Sequence, residues 1–101
     1  MKERMMAESA LELHRKVFTQ LLVTDERKSR EFKTLRQALG YSLSVVIAAI
    51  PTEGFEYMQQ LIRSRDKDAL QIVKENLRKN RLAKSFPYEV ASMKRLLEVP
   101  L

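Results

Sequence analysis

The chain has 101 residues, 45% hydrophobic and 32% charged, with a net charge of +6, which suits one small domain with a modest core. Cysteine is absent, and this excludes disulfides, thiolate metal sites and cysteine nucleophiles. Two glycines and three prolines are too few for a turn-rich sheet fold, so long helices are expected.

In chain order, Met6, Ala10, Leu13, Val17 and Leu21 lie at helical spacing, with Leu11, Phe18 and Leu22 beside them. They predict an amphipathic first helix ending near Val23. Thr24 or Ser29 can cap the next helix, with Asp25 and Glu26 suited to its positive end. The second helix carries Phe32, Leu35, Leu39, Leu43, Val46 or Ile47, and Ile50. Gly40 interrupts it, either as a point of close packing beside Ala38, Ser42 and Ser44 or as a kink.

Pro51 stops that helix and opens a third, with Phe55, Met58, Leu61 and Ile62 as its apolar positions. Asp66 is the expected N-cap of a fourth helix, with Asp68 in its first turn. That helix uses Ala69, Ile72, Val73, Leu77 and Leu82, and Asn80 is a candidate left-handed terminal residue. Pro87 opens a fifth helix bearing Val90, Met93, Leu96 and Leu97, and Pro100 ends it.

The elements repeat. Phe18-x-x-Leu21-Leu22, Met58-x-x-Leu61-Ile62 and Met93-x-x-Leu96-Leu97 are spaced by 40 and 35 residues. Leu35 and Leu43 correspond to Ala69 and Leu77 at an offset of 34, and Ile50-Pro51-Thr52-Glu53 corresponds to Phe86-Pro87-Tyr88-Glu89 at 36. Two helices per unit with this period is the mark of a helical solenoid.

Residues about 18–98 resemble HEAT-like helical repeat proteins. Leu35-Arg36, Ala38-Leu39-Gly40 and Leu43 look like the first helix of a HEAT repeat. Leu61-Ile62-Arg63-Ser64-Arg65-Asp66-Lys67-Asp68 looks like its turn. Lys74-Glu75-Asn76-Leu77-Arg78-Lys79-Asn80-Arg81-Leu82 is similar to a segment of HEAT-like proteins related to DNA alkylation repair. The resemblance implies an all-α, α-α superhelix (HEAT/ARM-like solenoid) of about five antiparallel helices. The chain then reads as one domain over 1–101: a half unit 1–23, a unit 24–64 and a unit 65–101. Either residues 1–22 cap the array or the chain is the C-terminal piece of a longer solenoid. A cut end would expose an apolar face and favour self-association. A non-solenoid helical bundle is the rival fold. Arg36 keeps the family's arginine after the turn in the first unit, whereas the second has Leu70, so the inter-repeat arginine–aspartate ladder is not expected there. The aromatic and acidic cluster of the family's DNA-lesion enzymes has no counterpart, and that activity is not carried over.

Residues 63–84 hold eight basic and three acidic side chains, +5 of the total +6. Lys67, Lys74, Arg78 and Arg81 fall at spacings of seven, four and three along one side of the expected fourth helix, with Lys84 just beyond. Such a ridge suits an acidic protein surface or nucleic-acid phosphates, against the plainer reading of a solvated helix face. Among aromatics only Phe86 and Tyr88 are near, which argues against base stacking. Asn76 and Asn80 share a face and can bond backbone groups of a neighbouring helix.

His14 is the one histidine and reads as a surface or boundary residue, so no zinc site is expected. No nucleophile–base set and no phosphate-binding glycine loop is present. A non-catalytic binding or scaffolding module without cofactors is therefore expected. The longest apolar run, residues 45–50, is too short to cross a membrane. Glu3, Glu8 and Glu12 make residues 1–22 unlike a signal peptide. A cytoplasmic location without membrane contact is expected.

Overall fold

A computed structural model describes residues 2–98, all-helical and without strands among them. The helices are α1 (Lys2–Val23), α2 (Arg30–Ala49), α3 (Pro51–Arg63), α4 (Lys67–Leu77), α5 (Asn80–Ala83) and α6 (Pro87–Glu98). The predicted stop at Pro100 lies outside the described residues.

The caps follow from local chemistry. The Ser29 hydroxyl accepts from the Phe32 N–H and starts α2. Pro51 occupies the first turn of α3, where its missing N–H removes no helical bond. The Asp66 carboxylate accepts from the N–H groups of Asp68 and Ala69 and starts α4. Just before it, Arg65 takes φ 57°, a left-handed conformation costing a non-glycine residue about 1 kcal/mol. Asn80, by contrast, opens a helix instead of ending one.

The expected fourth helix is two helices. α4 closes at Arg78, and Lys79 takes an extended conformation (φ −70°, ψ 132°) before α5 begins. The core requires this break. In a continuous helix Leu82 would point about 140° away from Leu77, yet both side chains are fully buried.

The first stripe is also rotated from expectation. Ala7, Leu11, Phe18 and Leu21 face the core, with His14 completing the row, while Met6 and Leu13 are exposed. His14 bridges α1 and α2: Nδ1 lies 2.7 Å from the Ala10 carbonyl and Nε2 2.9 Å from the Ser42 hydroxyl. A polar position within the buried row displaces the apparent apolar stripe onto the neighbouring flank. The other apolar stripes are buried as expected, apart from Leu35, which stays near the surface, and Leu96 and Leu97, which are half-buried.

α2 is the hub, touching α1, α3, α4 and α5; α6 packs on α3, α4 and α5. The 20 Å shortest extent matches two helix layers, each roughly 10 Å thick. α2 and α4 run parallel within one layer, since Arg36 meets Asp68 and, further along both helices, Ser44 meets Asn76. Phe18 on Tyr57 and Phe55 on Phe86, edge to face at 5.8 and 5.7 Å, join α1 to α3 and α3 to the start of α6. Burial pushes the Tyr57 phenol pKa up, with Arg15 at 4.7 Å from its ring pulling weakly the other way.

Both glycines are points of close approach. A Cβ on Gly54 would lie 2.8 Å from the Ile47 Cα, so α2 and α3 cross there backbone to backbone. At Gly40 the space is taken by the Glu75 carboxylate, and α2 runs unbroken through the position. Of the two readings of Gly40, close packing and a kink, the Glu75 contact in an unbroken helix supports the first.

Candidate binding face on α2 and α4

The α2–α4 seam is closed by one amide. Asn76 is fully buried. Its Oδ1 accepts from the Ser44 N–H at 2.7 Å, and its Nδ2 donates to the carbonyls of Leu39 (3.1 Å) and Ile72 (2.7 Å). Every polar atom of the side chain is thus engaged.

At the other end of the seam sits an ion cluster. Arg27, from the loop between α1 and α2, meets Asp66 at 2.7 Å and Asp68 at 2.9 Å. It also donates to the α1 terminal carbonyls of Leu21 and Leu22 and, through Nε, to Thr24. One guanidinium therefore caps the end of α1 and holds the start of α4. Arg36 adds bridges to Asp68 at 3.3 Å and Glu75 at 3.8 Å. Burial works to raise the Asp66 pKa, but hydrogen bonds from Arg27 and from the Ala69 and Asp68 N–H groups outweigh it and hold the carboxyl below its usual range.

Above this seam lies the basic surface. Lys67, Lys74 and Arg78 point outward from α4 and are exposed; the helical rise sets them about 10 and 6 Å apart along the axis. None of them, nor Lys84 at the end of α5, enters a salt bridge among the described residues. Lys74 is the basic residue of the last turn of α4 and complements the negative helix end.

Arg81 departs from the expected ridge. It belongs to α5, and the break at Lys79 turns it toward α2, where Nη1 donates to the Ser44 hydroxyl at 2.9 Å. That hydroxyl in turn donates to the Tyr41 carbonyl at 3.0 Å. The Arg81 guanidinium lies 5.3 Å and the Lys79 ammonium 5.7 Å from the centroid of the Tyr41 ring. Tyr41 is 56% exposed, so this cation–aromatic cluster is open to solvent.

Tyr41 is the residue that sequence position conceals, because 38 residues separate it from Lys79. Only the parallel pairing of α2 with α4 joins them. Arg30, Lys33, Gln37 and Tyr41 form one outward row at spacings of three, four and four, a signal that marks a common helix face. Two shallow depressions that share Gln37 follow the seam and together make the α2–α4 trough. One is lined by Arg30, Lys33 and Gln37 with Arg27, Phe32, Thr34, Arg36 and Asp68, the other by Gln37, Gly40, Tyr41, Glu75, Arg78 and Lys79, so of the α4 row only Arg78 reaches it. Its carboxylates, Asp68 and Glu75, are paired to Arg27 and Arg36, whereas Arg30, Lys33 and Arg78 enter no salt bridge among the described residues.

No group of three or more His, Asp or Glu side chains placed to hold a metal occurs among the described residues, and no helix among them is long and apolar enough to cross a membrane. No protein-family model, characterised protein or solved structure matches the chain.

Proposed function

We propose that the chain is a non-catalytic binding or scaffolding module that takes an acidic protein surface along the α2–α4 trough. The observation carrying this reading is the exposed Tyr41 ring beside Lys79 and Arg81, with Arg78 lining the same depression and Lys67 and Lys74 further along α4. Cations beside an aromatic ring and paired carboxylates make a mixed surface of the sort that protein interfaces use, with Tyr and Arg as anchors. As a fold, the reading is a HEAT-like superhelix: α2 and α4 line one layer, α1, α3 and α6 the other, and the sequence repeats with the same two-helix period.

The second reading is nucleic-acid backbone binding, as in DNA alkylation repair-like proteins. It is favoured by the row of outward cations on α4 and by Arg30 and Lys33 at the α2 side of the seam. Which polyanion binds separates the two. Phosphate binding weakens steeply with salt because each neutralised phosphate releases counterion. The test is binding of polyglutamate, duplex DNA and single-stranded DNA across a salt series, with wild type and a Lys74→Ala/Arg78→Ala/Arg81→Ala variant. Polyglutamate binding lost in the variant supports the first reading. Tight duplex binding with a steep salt slope, flattened in the variant, replaces it with the second. Binding of any of the three probes that the variant leaves unchanged removes the trough from both.

A further inference from the structure

A second surface stands out on the opposite flank of α2. On α1, Met6 is 71% and Leu13 61% exposed, with Ala10 between them and Val17 one turn beyond Leu13, both half-buried. On α2, Val45 is 45% and Leu35 36% exposed. These α1 positions, spaced four, three and four, form one flank of the helix. α3 lies on the other flank, where Arg4 meets Glu53 and Arg15 meets Gln60. The two helices run antiparallel, since His14 meets Ser42 while Leu21 and Leu35 line one depression. The apolar residues of α1 and α2 therefore lie side by side along a common groove. The positions that continue this strip on α2, Ala38 and Ala49, are small and uncharged, in a chain that is 32% charged.

We infer that this groove is the interface of a symmetric homodimer. Three observations select a second copy of the chain. Leu13 sits at the middle of α1 (Lys2–Val23), so an antiparallel copy brings Leu13 against Leu13 and makes the strip its own complement, as a two-fold interface requires. The face of two adjacent helices, roughly 30 Å long and 20 Å wide, is about 600 Å² per partner, at the small end of specific interfaces. The charge is arranged for it as well. The basic α4–α5 segment packs on the flank of α2 that carries Gly40 and Ser44, so pairing through α1 and the far flank of α2 holds the two basic faces apart and leaves both open.

The test is sedimentation equilibrium over a wide concentration range, with cross-linking in the naturally cysteine-free background. Wild type is expected to dimerise reversibly. Leu13→Glu and Val45→Glu, both at exposed positions, are expected to weaken the dimer at least tenfold with unchanged helical circular dichroism. Leu13→Cys is expected to oxidise to a covalent dimer far more readily than Val23→Cys, which is more exposed (76% against 61%) but off the strip. A wild type that stays monomeric at every concentration overturns the inference. So does a dimer that Leu13→Glu leaves intact, or Leu13→Cys cross-linking no faster than Val23→Cys.

Discussion

The side chain of Asn76 and the backbone N–H of Ser44 meet at 2.7 Å in the fully buried seam between α2 and α4. The same amide donates to Leu39 across the seam and to Ile72 on its own helix. A side chain that closes a seam through backbone groups fixes register more tightly than apolar contact does, because hydrogen bonds are directional. Register matters here, since it is what sets Tyr41 beside Lys79 and Arg81.

Replacing Asn76 with alanine removes three hydrogen bonds and leaves buried polar backbone without its partner. The expected loss is about 3 kcal/mol, seen as a lower midpoint in denaturant. A variant with wild-type stability would show that the amide does not hold the seam.

Arg27 gives a second prediction. It joins two carboxylates to three carbonyls of the α1 end and the following loop, so Arg27→Ala leaves partly buried charge and an uncapped helix. A loss of about 2–3 kcal/mol is expected, while Arg27→Lys recovers only part of it because one ammonium cannot span both groups.

The same cluster sets an acid dependence. The Asp66 pKa is depressed in the folded chain, so its contribution is present above the unfolded value and is lost as pH falls through the folded one. Stability should therefore drop below about pH 4. Asp66→Asn keeps a capping side chain but should flatten that part of the profile, measured by thermal melts from pH 7 to pH 2.

The two glycines should respond differently to alanine. At Gly54 the new Cβ meets the α2 backbone at Ile47, and a loss of about 1–3 kcal/mol is expected. At Gly40 the obstacle is the mobile end of the Glu75 side chain, and alanine's helix propensity offsets its displacement by roughly 1 kcal/mol. Near-neutral Gly40→Ala beside damaging Gly54→Ala is the expected pattern in chemical denaturation.

Most helices were legible because apolar spacing and caps agree: Ser29, Pro51, Asp66 and Pro87 each mark a helix start that the structure has. The rotation of α1 was not legible, since His14 occupies a core-facing position that an apolar count passes over. Nor was the break at Lys79, where a tertiary demand to bury Leu82 overrides strong local helix propensity. On the basic face, Lys67, Lys74 and Arg78 were readable as a row on one helix. Tyr41, Arg30 and Lys33 were not, because their proximity to that row depends on which helices pair and in which direction.

An acidic partner in the proposed α2–α4 trough is best sought by amide chemical-shift mapping with polyglutamate at low salt. Shifts are expected at Tyr41, Lys74, Arg78, Lys79 and Arg81, reversed by added salt. Shifts confined to α1, α3 or α6, or none at all, would contradict it.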